Sequence, residues 1–103
     1  MEMKEPTVKE IKVFVEDDQI KLKRNHAFTL YNDEVITWTC DHLLAVHFPP
    51  ESPLAAENLG RTSNLIRKNK TTPHLPYKYS IAVYDGRKVL ILDPVMIDVP
   101  PEN

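Results

Sequence analysis

A chain of 103 residues with 42% hydrophobic and 27% charged side chains fits one domain of about the size at which a single core can stand alone. The formal net charge of −2 gives no electrostatic pull toward nucleic acid, and one cysteine excludes an internal disulfide. The opening "MEMKEPTVKE" lacks the apolar stretch of a signal peptide, and no apolar run approaches the roughly 20 residues of a membrane helix, so a cytoplasmic location without membrane contact is the expectation.

In chain order the patterns have period two. Ile11, Val13 and Val15 alternate with Lys12, Phe14 and Glu16, and Ile20 and Leu22 alternate with Lys21 and Lys23, with "EDDQ" (Glu16 to Gln19) as the turn between two strands. "AFTLYN" carries Phe28 and Leu30 on one side, and Asn32-Asp33 punctuates before "EVITWTC", where Ile36, Trp38 and Cys40 form a row expected to be buried. "LLAVHF" (Leu43 to Phe48) is the next strand, stopped by Pro49-Pro50, which have no N–H to donate.

The segment from Pro49 to Arg61 predicts a long loop with at most two helical turns in "SPLAAENL", where Ser52 is placed as N-cap, Pro53 as first helical residue and Gly60 as the stop. "TSNLIRK" is a short strand and "NKTTPHLP" (Asn69 to Pro76) an irregular connection. "YKYSIAVY" places Tyr77, Tyr79, Ile81 and Val83 on one face, Asp85-Gly86 turns the chain, and "KVLIL" returns before Asp93-Pro94 and a last segment, "VMIDV". About seven or eight short strands with almost no helix predict an all-β antiparallel sandwich over residues 1–103, with residues 1–6 and 100–103 as flexible ends.

The order of these segments resembles the cupredoxins, the plastocyanin-like β-sandwich family. The similarity is carried by "DEVITW" (Asp33 to Trp38), by "AVHF" (Ala45 to Phe48) with the long loop after it, and by "YKYSIAVYDG" with the closing "VMIDV". The resemblance implies a Greek-key, cupredoxin-like fold. The family holds copper with two histidines, a thiolate and usually a weak axial methionine. The matching positions here carry Leu44, Ile81, Tyr84 and Val89, so the resemblance implies the fold without the copper and without its electron transfer.

Chemistry-bearing residues concentrate in "WTCDHLLAVHF" (Trp38 to Phe48). Cys40, His42 and His47 are three ligand types for zinc, but the spacing is not that of a zinc module. On regular strand His42 and His47 point to opposite faces unless the Asp41 to Leu43 segment bends. The preferred reading makes Cys40 a core thiol, His42 a bend residue in solvent and His47 a wet-face residue before the prolines; the alternative is an improvised metal site. His26 and His74 fall in loops. Trp38, Tyr77 and Tyr79 are read as core or sheet aromatics rather than a nucleic-acid stacking platform, and "RKNK" (Arg67 to Lys70) as a solvated charge run.

Two glycines, no Ser/His/Asp grouping and no carboxylate pair in an apolar setting leave catalysis unsupported. The expected function is binding another protein, with no cofactor. The surfaces offered are the Pro49 to Arg61 loop, the Asn69 to Pro76 loop and any unpaired edge strand. Leu54 and Leu59 instead plug one end of the core in the preferred reading.

Overall fold

The computed structural model describes residues 7–23, 27–29, 34–68, 73 and 75–99, and every regular element among them is a β-strand. The readings made for Leu30, Asn32-Asp33, His26, His74, Lys70, most of the Asn69 to Pro76 connection and the two chain ends lie outside the described residues.

The strands are β1 (Thr7–Glu16), β2 (Gln19–Leu22), β3 (Ala27–Thr29), β4 (Glu34–Cys40), β5 (Leu43–His47), β6 (Leu54–Asn58), β7 (Thr62–Arg67), β8 (Pro76–Tyr84) and β9 (Val89–Asp98). They form a five-stranded sheet ordered β2-β1-β4-β7-β6 and a four-stranded sheet ordered β3-β9-β8-β5. The two sheets form a β-sandwich around one core. Two of the pairings are parallel, β1 with β4 and β3 with β9, and the others are antiparallel.

Alternation builds the core. Ile11 and Val13 on β1, Ile20 and Leu22 on β2, and Ile36 and Trp38 on β4 are buried from one sheet. Leu44 and Val46 on β5, Tyr79, Ile81 and Val83 on β8, and Val95 and Ile97 on β9 meet them from the other. The first hairpin turns at Asp17 and Asp18, both left-handed (φ +54° and +59°), a conformation aspartate tolerates better than most residues.

The segment predicted as a short helix is strand β6. It pairs with β7 from Leu54 opposite Arg67 to Asn58 opposite Ser63, and Leu54 is fully buried. Ser52 caps no helix: its buried hydroxyl accepts the Leu54 N–H at 3.1 Å. Gly60, at φ +93°, turns the β6–β7 hairpin rather than ending a helix. Two turns of helix are marginal without tertiary support, and a five-residue ladder with a buried leucine outweighs the local preference of "LAAEN".

Candidate functional site

In "WTCDHLLAVHF" the chain changes sheets. Trp38 and Cys40 end β4 in the five-stranded sheet, Asp41 and His42 form the bend, and Leu43 to His47 are β5 in the four-stranded sheet. Cys40, expected in the buried row, is only partly buried and packs against the margin of the core, because the strand is leaving the sheet there. His42 sits at the expected bend but is half-buried rather than in solvent; its backbone N–H approaches Cys40 Sγ at 3.5 Å. His47 is exposed on the outer face of the other sheet. No group of three or more His, Cys, Asp or Glu among the described residues is placed to hold a metal ion.

The positions matched to copper ligands also diverge. Leu44 and Ile81 are buried on the inner face of the four-stranded sheet, whereas Tyr84 and Val89 are exposed. Four side chains split between two faces of a sheet cannot surround one ion.

Trp38 lies in the core as expected, in an aromatic cluster with Phe48 and Tyr79. Its ring meets Tyr79 edge-on at 5.4 Å between centroids, and Phe48 stacks on Tyr79 at 5.0 Å. Burial pushes the Tyr79 hydroxyl up to about 12, an effect the nearby Trp38 indole N–H partly opposes. The two groups are neighbours without the alignment of a hydrogen bond, and neither Trp38 Nε1 nor Tyr79 Oη has a bonding partner among the described residues.

The outward face of the four-stranded sheet carries a group of exposed large apolar side chains, as the outer face of the other sheet does at Val8 and Val35. Register places Leu43, Tyr84 and Val89 side by side across β5, β8 and β9, and Ala45, Ala82 and Ile91 in the adjacent row. Leu43 is 55% exposed, Val89 61% and Ile91 63%, where charged residues would ordinarily face water. Leu43, Tyr84 and Val89 wall a shallow hollow of about 180 Å³ over Ala45 and Ala82. The Tyr84 hydroxyl donates to the Gly86 carbonyl at 3.1 Å, which ties this ring to the hairpin.

Sequence reasoning missed this face, although its signal was present. The runs "LLAV", "IAV" and "VLIL" are apolar at consecutive positions, the pattern of strands covered on both sides, and not alternating as strands with one wet face are.

The hairpin at the end of this face is rigidly built. Asp85 Oδ1 accepts the backbone N–H groups of Arg87 (2.8 Å) and Lys88 (2.9 Å), and these bonds, the Lys88 one foremost, hold its carboxyl below the ordinary carboxylate value. Lys88 also reaches Asp18 at 3.1 Å. No protein-family model and no curated protein sequence matches the chain. Among the described residues no helix is long and apolar enough to cross a membrane.

Proposed function

We propose that this chain is a cupredoxin-like, Greek-key sandwich that carries no copper and works by binding another protein through the outer face of its four-stranded sheet. Support for the fold assignment comes from the strand order, in which chain neighbours β4 and β5 lie in different sheets and two pairings are parallel. The functional reading rests on one observation: an apolar patch two rows deep and three strands wide, open to solvent. Within the Pro49 to Arg61 loop Leu54 is spent on the core, so that loop offers only Leu59 as a large exposed apolar contact.

The test is affinity capture from native extract with the parent and with Ala82→Arg, which plants a charge in the hollow. Proteins retained by the parent and lost by the variant, with equal melting temperatures, support the reading. The same set retained by both would count against it.

The zinc alternative needs Cys40, His42 and His47 on one ion although they divide between two sheets and the bend that joins them. Submicromolar zinc binding, lost in Cys40→Ser, His42→Ala and His47→Ala alike, would establish it.

A further inference from the structure

The turn that joins β8 to β9 holds a chemically reactive pair of residues. Gly86 follows Asp85, and this is the one place in the chain where an aspartate or asparagine precedes glycine, the other glycine following Leu59. A backbone nitrogen can attack the side-chain carbonyl carbon of the residue before it and close a five-membered imide. Glycine leaves that nitrogen the least crowded, because no Cβ stands beside it. We propose that Asp85-Gly86 is a modification site, at which the chain forms isoaspartate when the turn opens and is kept from doing so while the turn is closed.

The step needs no co-reactant but water. The Gly86 nitrogen gives up its proton and bonds to Asp85 Cγ, and the carboxyl hydroxyl leaves with a proton as water. Water then adds to one of the two imide carbonyls. Opening at Cγ restores aspartate. Opening at the main-chain carbonyl leaves the backbone running through Cγ, one methylene longer, with a free α-carboxylate. One water is lost and one regained, so the product is an isomer of the starting chain. A carboxylate has no comparable leaving group, so the protonated acid is the form that reacts.

Three hydrogen bonds close the turn against this. Asp85 Oδ1 accepts the N–H of Arg87 at 2.8 Å and that of Lys88 at 2.9 Å, and the Asp85 N–H donates to the Lys88 carbonyl at 3.1 Å. Ring closure must turn the flat face of the carboxyl to the Gly86 nitrogen, which takes Oδ1 away from both N–H groups. The same bonds favour the ionised, unreactive carboxylate. Gly86 is exposed at φ +96° with open space where a Cβ would stand, so water reaches the turn and no packed neighbour adds to the barrier. The bonds to Oδ1 are therefore the gate.

Isoaspartate lengthens the loop between Tyr84 and Val89. The two bonds to Oδ1 are then lost, and the bond from the Tyr84 hydroxyl to the Gly86 carbonyl and the contact of Lys88 with Asp18 lose the frame that sets them. A brief opening thus becomes a lasting change beside Tyr84, which walls the apolar hollow.

Peptide mapping for isoaspartate at residue 85 tests this, on the parent held at neutral pH with and without denaturing urea. In the unfolded chain it is expected at residue 85 ahead of every other aspartate, and Gly86→Ala in the same urea is expected to slow it at least about fivefold. In the folded parent the rate is expected to be at least about tenfold below the unfolded one, and to equal the unfolded rate multiplied by the open fraction that hydrogen exchange reports at the Arg87 and Lys88 amides. Folded and unfolded chains that react equally fast, an unfolded chain modified at other aspartates but not at 85, or a folded rate more than about tenfold away from that product each overturns the proposal.

Discussion

Asn58 closes the free edge of β5 by bonding both backbone polar groups of Val46: its Oδ1 accepts the Val46 N–H at 2.9 Å and its Nδ2 donates to the Val46 carbonyl at 3.2 Å. A side-chain amide here takes the place of a neighbouring strand. The same Oδ1 accepts the hydroxyl of Ser63, a residue with no exposed surface, so one amide ties β5 of the four-stranded sheet to the β6–β7 hairpin of the other. Edges left open invite pairing with other chains, and this one is protected from within.

Asn58→Ala should cost about 2–3 kcal/mol, because it removes two edge bonds and strands a buried hydroxyl without an acceptor. Adding Ser63→Ala in that background should recover part of the loss, since the unsatisfied group is then gone. Urea unfolding of the parent, both single variants and the double variant measures the coupling. Strictly additive losses would show that Ser63 does not depend on Asn58.

The Asn58 contact shows which parts of the fold were legible in the sequence. Period-two alternation reports which way a side chain points, and it placed Ile11, Val13, Ile36, Trp38, Tyr79, Ile81 and Val83 on inward faces, as the structure has them. It carries no information about which strands become neighbours, so neither the bridge from Asn58 to Val46 nor the change of sheet at Asp41-His42 could be read. The same change of sheet parts Cys40 from His47. Strand alternation anticipated that these residues diverge, but for a weaker reason than the one found.

Tyr79 carries a buried hydroxyl without a good hydrogen bond, and Tyr79→Phe removes that hydroxyl while keeping the ring against Trp38 and Phe48. Stability should stay level or rise by up to about 1 kcal/mol, since an unsatisfied buried polar group is removed. Trp38→Ala in the same cluster should lose about 3–5 kcal/mol. The two effects separate at high pH. Folded Tyr79 titrates near 12 against an ordinary value of 10.0, so the folded state holds its proton where the unfolded chain has lost it. Its contribution is full below pH 10 and is lost as pH rises toward 12. The parent should therefore lose more stability than Tyr79→Phe over that interval, and parallel curves would contradict the burial of the hydroxyl.

Asp85 makes the opposite prediction at the acid end. Its carboxylate is held below the ordinary value of 3.8 by the N–H groups of Lys88 and Arg87. The stabilisation is present above that ordinary value and is lost as pH falls through the lower folded value. The melting temperature of Asp85→Ala should lie below that of the parent at pH 7, and the gap should narrow steadily below pH 3.8. A gap of constant size across that range would assign the effect to the turn geometry alone and not to the charge.

Leu54 and Leu59 stand five residues apart in a segment where the sequence offered both as plugs for one end of the core, and the structure separates them. Leu54 has no exposed surface and opens β6 with its side chain among the core residues, whereas Leu59 is 59% exposed in the turn beside Gly60. The difference follows from the hairpin. The ladder from Leu54 to Asn58 sets an inward phase at Leu54, and the ladder has ended before Leu59, whose N–H bonds across the turn to the Thr62 carbonyl at 2.8 Å. Leu54→Ala should cost about 2–5 kcal/mol, the range for emptying a buried leucine site, and Leu59→Ala should stay within about 0.5 kcal/mol of the parent. Denaturant unfolding of the two variants decides the matter. Equal losses would place both leucines in the core, and a negligible loss for Leu54→Ala would mean that the segment does not pair as β6 and that the helical reading of "SPLAAENL" had been the better one.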